Sequence, residues 1–167
     1  INIEKLLWKL KKIEIFTDNL KKEKLLNFEN NDEHIFSIVK NHELYEVIEK
    51  DLSKNKFFKK KILDNKNLSL INNYELVINC DYSHVVTKKY FSKKITKKYN
   101  SLAYTTTIKH KKILNNIATQ IFTKNGPIAF LPISNNETSI VYSVYNMIEK
   151  KKENIETLIK SYNLKYK

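Results

Sequence analysis

Short apolar runs separated by polar turns set the pattern of the chain. Residues 12–16 (KIEIF) and 24–28 (KLLNF) flank the turn-prone Asp18-Asn19 and predict a β-hairpin. After a polar stretch at 29–34, Leu44, Val47, Ile48 and Leu52 recur at helical spacing and predict an amphipathic helix over 40–53. Residues 74–80 (YELVINC) are almost continuously apolar, which predicts a strand covered on both faces with Asp81 at its C-terminal mouth. Three segments, 102–108, 117–123 and 139–145, are rich in Ile, Val, Thr, Phe and Tyr and predict strands of an antiparallel sheet. Asn125-Gly126-Pro127 marks a turn, and the apolar stretch 128–133 follows it. Near the end, Asn146 and Glu149 have the spacing of an N-cap and its reciprocal carboxylate, and Ile148, Ile155, Leu158, Ile159 and Tyr162 share one helical face. The fold class expected is α/β: a mixed, largely antiparallel sheet with flanking helices.

Composition narrows the chemistry. At 167 residues the chain fits one domain of ordinary size, burying roughly 70% of the surface its unfolded form exposes. The net charge of +13 comes from 31 lysines, with no arginine. Lysine, asparagine and isoleucine are all abundant, as in an A/T-biased coding sequence, so part of the basicity reflects composition. The single glycine, Gly126, excludes a Walker P-loop and a G-x-G-x-x-G dinucleotide motif, both of which need several glycines to bring backbone amides close to phosphate. Cys80 stands alone, which excludes disulfides within the chain and cysteine-built zinc sites, and favours a reducing compartment. No apolar run approaches the roughly 20 residues of a membrane span. Residues 1–10 carry Glu4 among lysines and lack a small-residue cleavage site, so they do not read as a signal peptide, and the absent initiator Met suggests a chain that begins inside a longer protein.

The polar constellations are ambiguous. His34, His42, His84 and His110 never fall at the spacings of helical metal sites, and no metal is expected. Asp81, Ser83 and His84 are adjacent, but a nucleophile elbow needs glycines that are absent. The pairs Lys88-Lys89, Lys93-Lys94 and Lys97-Lys98, interleaved with Tyr90, Phe91 and Tyr99, have the composition of a stripe that tracks phosphates while aromatics stack on bases. The lack of arginine argues against nucleic acid as a partner. A solvated basic face is the plainer reading.

The most informative stretch is 120–132 (QIFTKNGPIAFLP), where the only glycine and both prolines are gathered, followed by Ser139-Ile140-Val141-Tyr142-Ser143. Together these resemble the Q-x-F-x-x-x-G-P-x-A-x-L-P run and the S-x-V-W-S-like strand of the FAD-dependent aromatic hydroxylases of ubiquinone biosynthesis, within the p-hydroxybenzoate hydroxylase-like family. Tyr142 stands where that family often has Trp. Upstream, residues 76–88 (LVINCDYSHVVTK) are similar to a family strand ending in G-A-D-G-x-x-S-x-V-R: Asp81 matches the aspartate and Lys88 falls at the arginine, while Asn79, Tyr82 and Val85 replace the two glycines and the serine. Residues 39–44 (VKNHEL) are similar to the segment opening the helix after the first crossover, with His42 in place of an FAD-contacting arginine.

The resemblance spans residues 13–143 and implies an internal segment of an FAD-dependent monooxygenase that hydroxylates a prenylated phenol using FAD and NAD(P)H. It implies a partial FAD-domain crossover over 1–98 and a substrate-domain sheet with a C-terminal helix over 99–167, joined as one compact unit. Asp81, His42 and Lys88 become the candidate cofactor contacts, and Phe122, Phe130, Leu131 and Pro132 the candidate substrate wall. A ubiquinone-biosynthesis complex, a cytoplasmic location and peripheral contact with the inner membrane follow as expectations. The motif erosion at residues 79–85 keeps open a pseudoenzyme or assembly subunit of the same fold. A lysine-rich nucleic-acid-binding domain is the alternative from another class.

Overall fold

The computed structural model describes residues 3–18, 24–30, 33–61, 67–91, 93, 95–145 and 155–166. They divide into two compact units, one made of residues 1–51 with 100–167, the other of residues 52–99. The first unit draws on two stretches of the chain because the N-terminal strands join the C-terminal ones in a single sheet.

In the first unit, β1 (Trp8–Leu10) pairs antiparallel with β4 (Phe36–Ile38) as a small separate ribbon. The main sheet has six strands: β2 (Lys12–Thr17), β3 (Lys24–Glu29), β5 (Ser101–Lys109), β6 (Ile117–Thr123), β7 (Gly126–Pro132) and β8 (Glu137–Tyr145). Their spatial order is β3-β2-β6-β7-β8-β5, with β2 and β6 parallel and every other neighbour antiparallel. The predicted hairpin is β2–β3, and Lys12 bridges Glu29 across it at 3.0 Å. The sheet is mixed and largely antiparallel, as expected.

The β6–β7 hairpin explains why the chain keeps its one glycine. Gly126 has φ 130°, a region open to glycine and strained for any residue with a Cβ. Thr123 Oγ1 donates to the Gly126 carbonyl at 2.7 Å, and the Tyr145 amide donates to the Asn125 carbonyl at 3.0 Å, tying the turn to β8.

Strand side chains alternate between faces, and here the two faces differ. Ile128 and Phe130 of β7 and Ile140, Tyr142 and Val144 of β8 form the buried core with Tyr166. Against it pack Ile155, Leu158, Ile159 and Tyr162 of α3 (Ile155–Tyr162), the part of the predicted terminal helix that is described. Asn146, Ile148 and Glu149 lie outside the described residues. We call this side the covered face and its opposite the open face. α1 (Asn41–Ser53) is the predicted amphipathic helix, with Leu44, Val47 and Ile48 half-buried.

The second unit corrects one expectation. Residues 74–80 are not a strand: a 3-10 helix (Leu68–Asn73) leads into irregular chain, with Leu76 76% and Ile78 78% exposed. A strand covered on both faces needs neighbouring strands to take its amides and carbonyls, and among the described residues of this unit there is no other strand. Its regular helix is α2 (Val85–Tyr90).

Candidate functional site

Strand register brings the motif residues together. Gln120 lies opposite Ala129, Phe122 opposite Pro127, and Ala129 opposite Val141. Leu131 lies opposite Ser139, and β5 places Ala103 beside Ser143. Opposed residues share a face, so Gln120, Phe122, Pro127, Ala129, Leu131, Ser139, Val141 and Ser143 all point to the open face. Most are half-buried, and Phe122 is 43% exposed. β2 and β3 extend the same face with Ile13, Ile15, Leu26 and Phe28.

The four residues expected to form one substrate wall are therefore divided. Phe122 and Leu131 lie on the open face. Phe130, 3% exposed, and the buried Pro132 lie on the covered face. Phe130 lines an apolar cavity of about 450 Å3 there, between Phe16 and Ile121 of the sheet and Tyr162 and Tyr166 beyond it. A second hollow, of about 420 Å3, opens beside Leu131 at the foot of the open face, with Ile38, Thr107, Ile133 and Ser139 around it. His42 joins Leu131 in its lining, so one candidate cofactor residue and one candidate substrate residue meet there. In the same hollow Lys40 Nζ donates to Glu137 Oε2 at 3.2 Å, and the His42 ring lies 3.9 Å from Glu43.

Asp81 and Lys88 belong to the second unit. Asp81 Oδ1 accepts from the Ser83 amide at 2.8 Å and from Ser83 Oγ at 2.7 Å, and these bonds hold its carboxyl below the usual carboxylate range. Asn79 Oδ1 accepts from the Asp81 amide at 3.3 Å, and His84 Nδ1 caps α2 by accepting from the Val86 amide at 3.3 Å. Lys88 sits in the last turn of α2.

These contacts test the fit to FAD and NAD(P)H. A dinucleotide pyrophosphate is held by free backbone amides at glycines. Here the amides of Asp81, Ser83 and Val86 are already bonded to side chains, and the first glycine position is Asn79, whose amide group donates to Thr87 Oγ1. Among the described residues, the turn at 79–87 leaves these amides no free hydrogen bond for a pyrophosphate.

Other sequence candidates serve local structure. His110 bonds Thr138 through Nε2 at 3.0 Å, and its ring packs against that of Tyr166 at a 40° tilt, 4.6 Å between centroids. In the lysine-aromatic stripe, Lys89 lies over the Tyr90 ring and Lys97 over the Tyr99 ring, each about 5 Å from the centroid; Lys94 lies outside the described residues. Sequence reasoning missed Gln120 and Ala129 as members of a face. The signal was there, since the motif letters are two apart on either side of the hairpin turn. No helix among the described residues is long and apolar enough to cross a membrane. No family model matches the chain, and a search of the curated proteins finds no similar protein.

Proposed function

We propose that this chain supplies the substrate-facing sheet of an FAD-dependent monooxygenase that hydroxylates a prenylated phenolic ring in ubiquinone biosynthesis. One observation carries the reading: eight residues of the hydroxylase-like motifs share the open face of the sheet, the face away from the core packed by α3. A fold alone would be expected to hold its recurring residues in the buried core, where packing demands them. A half-buried apolar face with a few polar groups suits a large apolar ring. The flavin and NAD(P)H would be held by glycine-bearing segments that this sequence does not contain. A cytoplasmic location, peripheral contact with the inner membrane and association with other ubiquinone-biosynthesis proteins belong to this proposal.

A second reading has its own observation. The turn at residues 79–87 is closed by its own side chains, which favours a non-catalytic subunit that kept the sheet and lost flavin handling. Absorbance of the full-length protein carrying this sequence, purified without added cofactor, separates the two. Oxidised-flavin bands, together with NAD(P)H-dependent hydroxylation of a short-chain prenylphenol, support the enzyme. Failure to bind even added FAD supports the subunit.

A further inference from the structure

The cavity of about 450 Å3 on the covered face lies between two walls that are fixed independently. One is the sheet, where Glu14, Thr119 and Phe130 form one cross-strand row and Phe16 and Ile121 pair in the next. The other is the turn after α3. Asn163 Nδ2 donates to the Tyr166 carbonyl at 2.8 Å, and its Oδ1 accepts from the Tyr166 amide at 3.0 Å, so the turn is closed on itself. The Tyr166 hydroxyl then pins it to Asn115. Walls held in this way keep the space between them open, and its volume falls in the small-molecule range of roughly 300–1,000 Å3. Phe16, Ile121 and Phe130 make it apolar, and Leu164, 67% exposed, carries the apolar lining to the mouth.

The charged groups of the lining are not equivalent. Glu14 bridges Lys24 at 2.6 Å and Lys12 at 3.5 Å, and Asp18 accepts from the Lys124 amide at 3.0 Å, so both carboxylates are engaged. Lys165 is exposed and makes no ion pair among the described residues; its ammonium lies over the Tyr166 ring, 5.1 Å from the centroid. We infer that this cavity takes one amphipathic carboxylate, its apolar chain lying on Phe16, Ile121 and Phe130 and its head group on the Lys165 ammonium. The chain covers apolar surface that no side chain fills, and the head group meets a cation that lacks a carboxylate partner. The site lies on the face opposite the open one and does not depend on the substrate reading of that face.

The test is titration calorimetry of the full-length protein with decanoate, hexanoate and decylamine, each below its micelle concentration. Decanoate should bind once per chain, on the order of tenfold tighter than decylamine. Hexanoate should bind more weakly, by about threefold for each methylene lost. Lys165→Gln should abolish the preference for carboxylate over amine, and Lys165→Arg should keep it. Thr119→Leu, which places a larger side chain between Glu14 and Phe130 without changing charge, should weaken decanoate at least tenfold. Matching denaturation midpoints show that each variant is folded. Decanoate that fails to bind, or that binds Thr119→Leu as well as wild type, overturns the site, the latter because the ligand then sits on the lysine-rich surface. Equal or tighter binding of decylamine, or a preference that survives Lys165→Gln, overturns the role of Lys165.

Discussion

Tyr166 donates its hydroxyl to Asn115 Oδ1 at 3.1 Å, and Asn115 is fully buried. The asparagine is a hub. Its Nδ2 donates to the Ser134 carbonyl at 2.8 Å and to Thr138 Oγ1 at 3.0 Å, while its own carbonyl accepts from Trp8 Nε1 at 2.7 Å. One side chain thus ties the loop before β8 to the segment after α3. Asn115→Leu leaves the Ser134 carbonyl and the Tyr166 hydroxyl without this partner. At ~1–3 kcal/mol for a buried group left unsatisfied, urea denaturation should show a loss of about 3 kcal/mol.

Burial pushes the Tyr166 phenol above its ordinary value of about 10. The folded state therefore holds this proton to higher pH than the unfolded state. Stability is unaffected below about pH 10 and falls as pH rises from there through the folded value. Burial raises Tyr162 as well, so absorbance titration near 295 nm should show late-ionising tyrosines, one of which Tyr166→Phe removes.

Gly126→Ala tests the hairpin. An added Cβ would run into the Ser143 carbonyl oxygen, and alanine resists φ 130° whatever the space. Strain of this kind costs roughly 1–3 kcal/mol, and the clash adds to it. The variant should lose at least that much in chemical denaturation.

Tyr142 offers the reverse outcome. Its ring is fully buried and its hydroxyl is unpartnered among the described residues. Tyr142→Phe removes a polar atom that gains nothing from burial, and should raise stability by about 1 kcal/mol. A lower denaturation midpoint would show that the hydroxyl is satisfied.

The two faces of the sheet predict different responses to the same chemical change. Phe130→Ala empties the covered face and should cost ~3–5 kcal/mol. Phe122→Ala on the open face should cost well under that, about 1 kcal/mol or less, and should act on prenylphenol binding. Denaturation and titration of the two variants side by side check the separation.

Local pattern was enough for the hairpin β2–β3, for α1 and for β5, β6 and β8, three of the four strands after residue 100. In each, side-chain period and turn residues act over a few neighbours. It failed at residues 74–80, because apolar content does not supply the adjacent strands that a buried strand needs. Asn115 was invisible in an asparagine-rich chain, since nothing local distinguishes a buried hub from a loop residue.

The sequence by itself determined which segments extend, where the glycine turn falls and that no phosphate loop exists, because these depend on local sterics and residue inventory. Only the tertiary structure decided which strands are neighbours. That choice placed β6 between β2 and β7, and set Val141 of β8 beside Ala129 and Ile15 of β2 beside Gln120. Register between strands distant in the chain is set by packing of the whole core, so no local rule contains it.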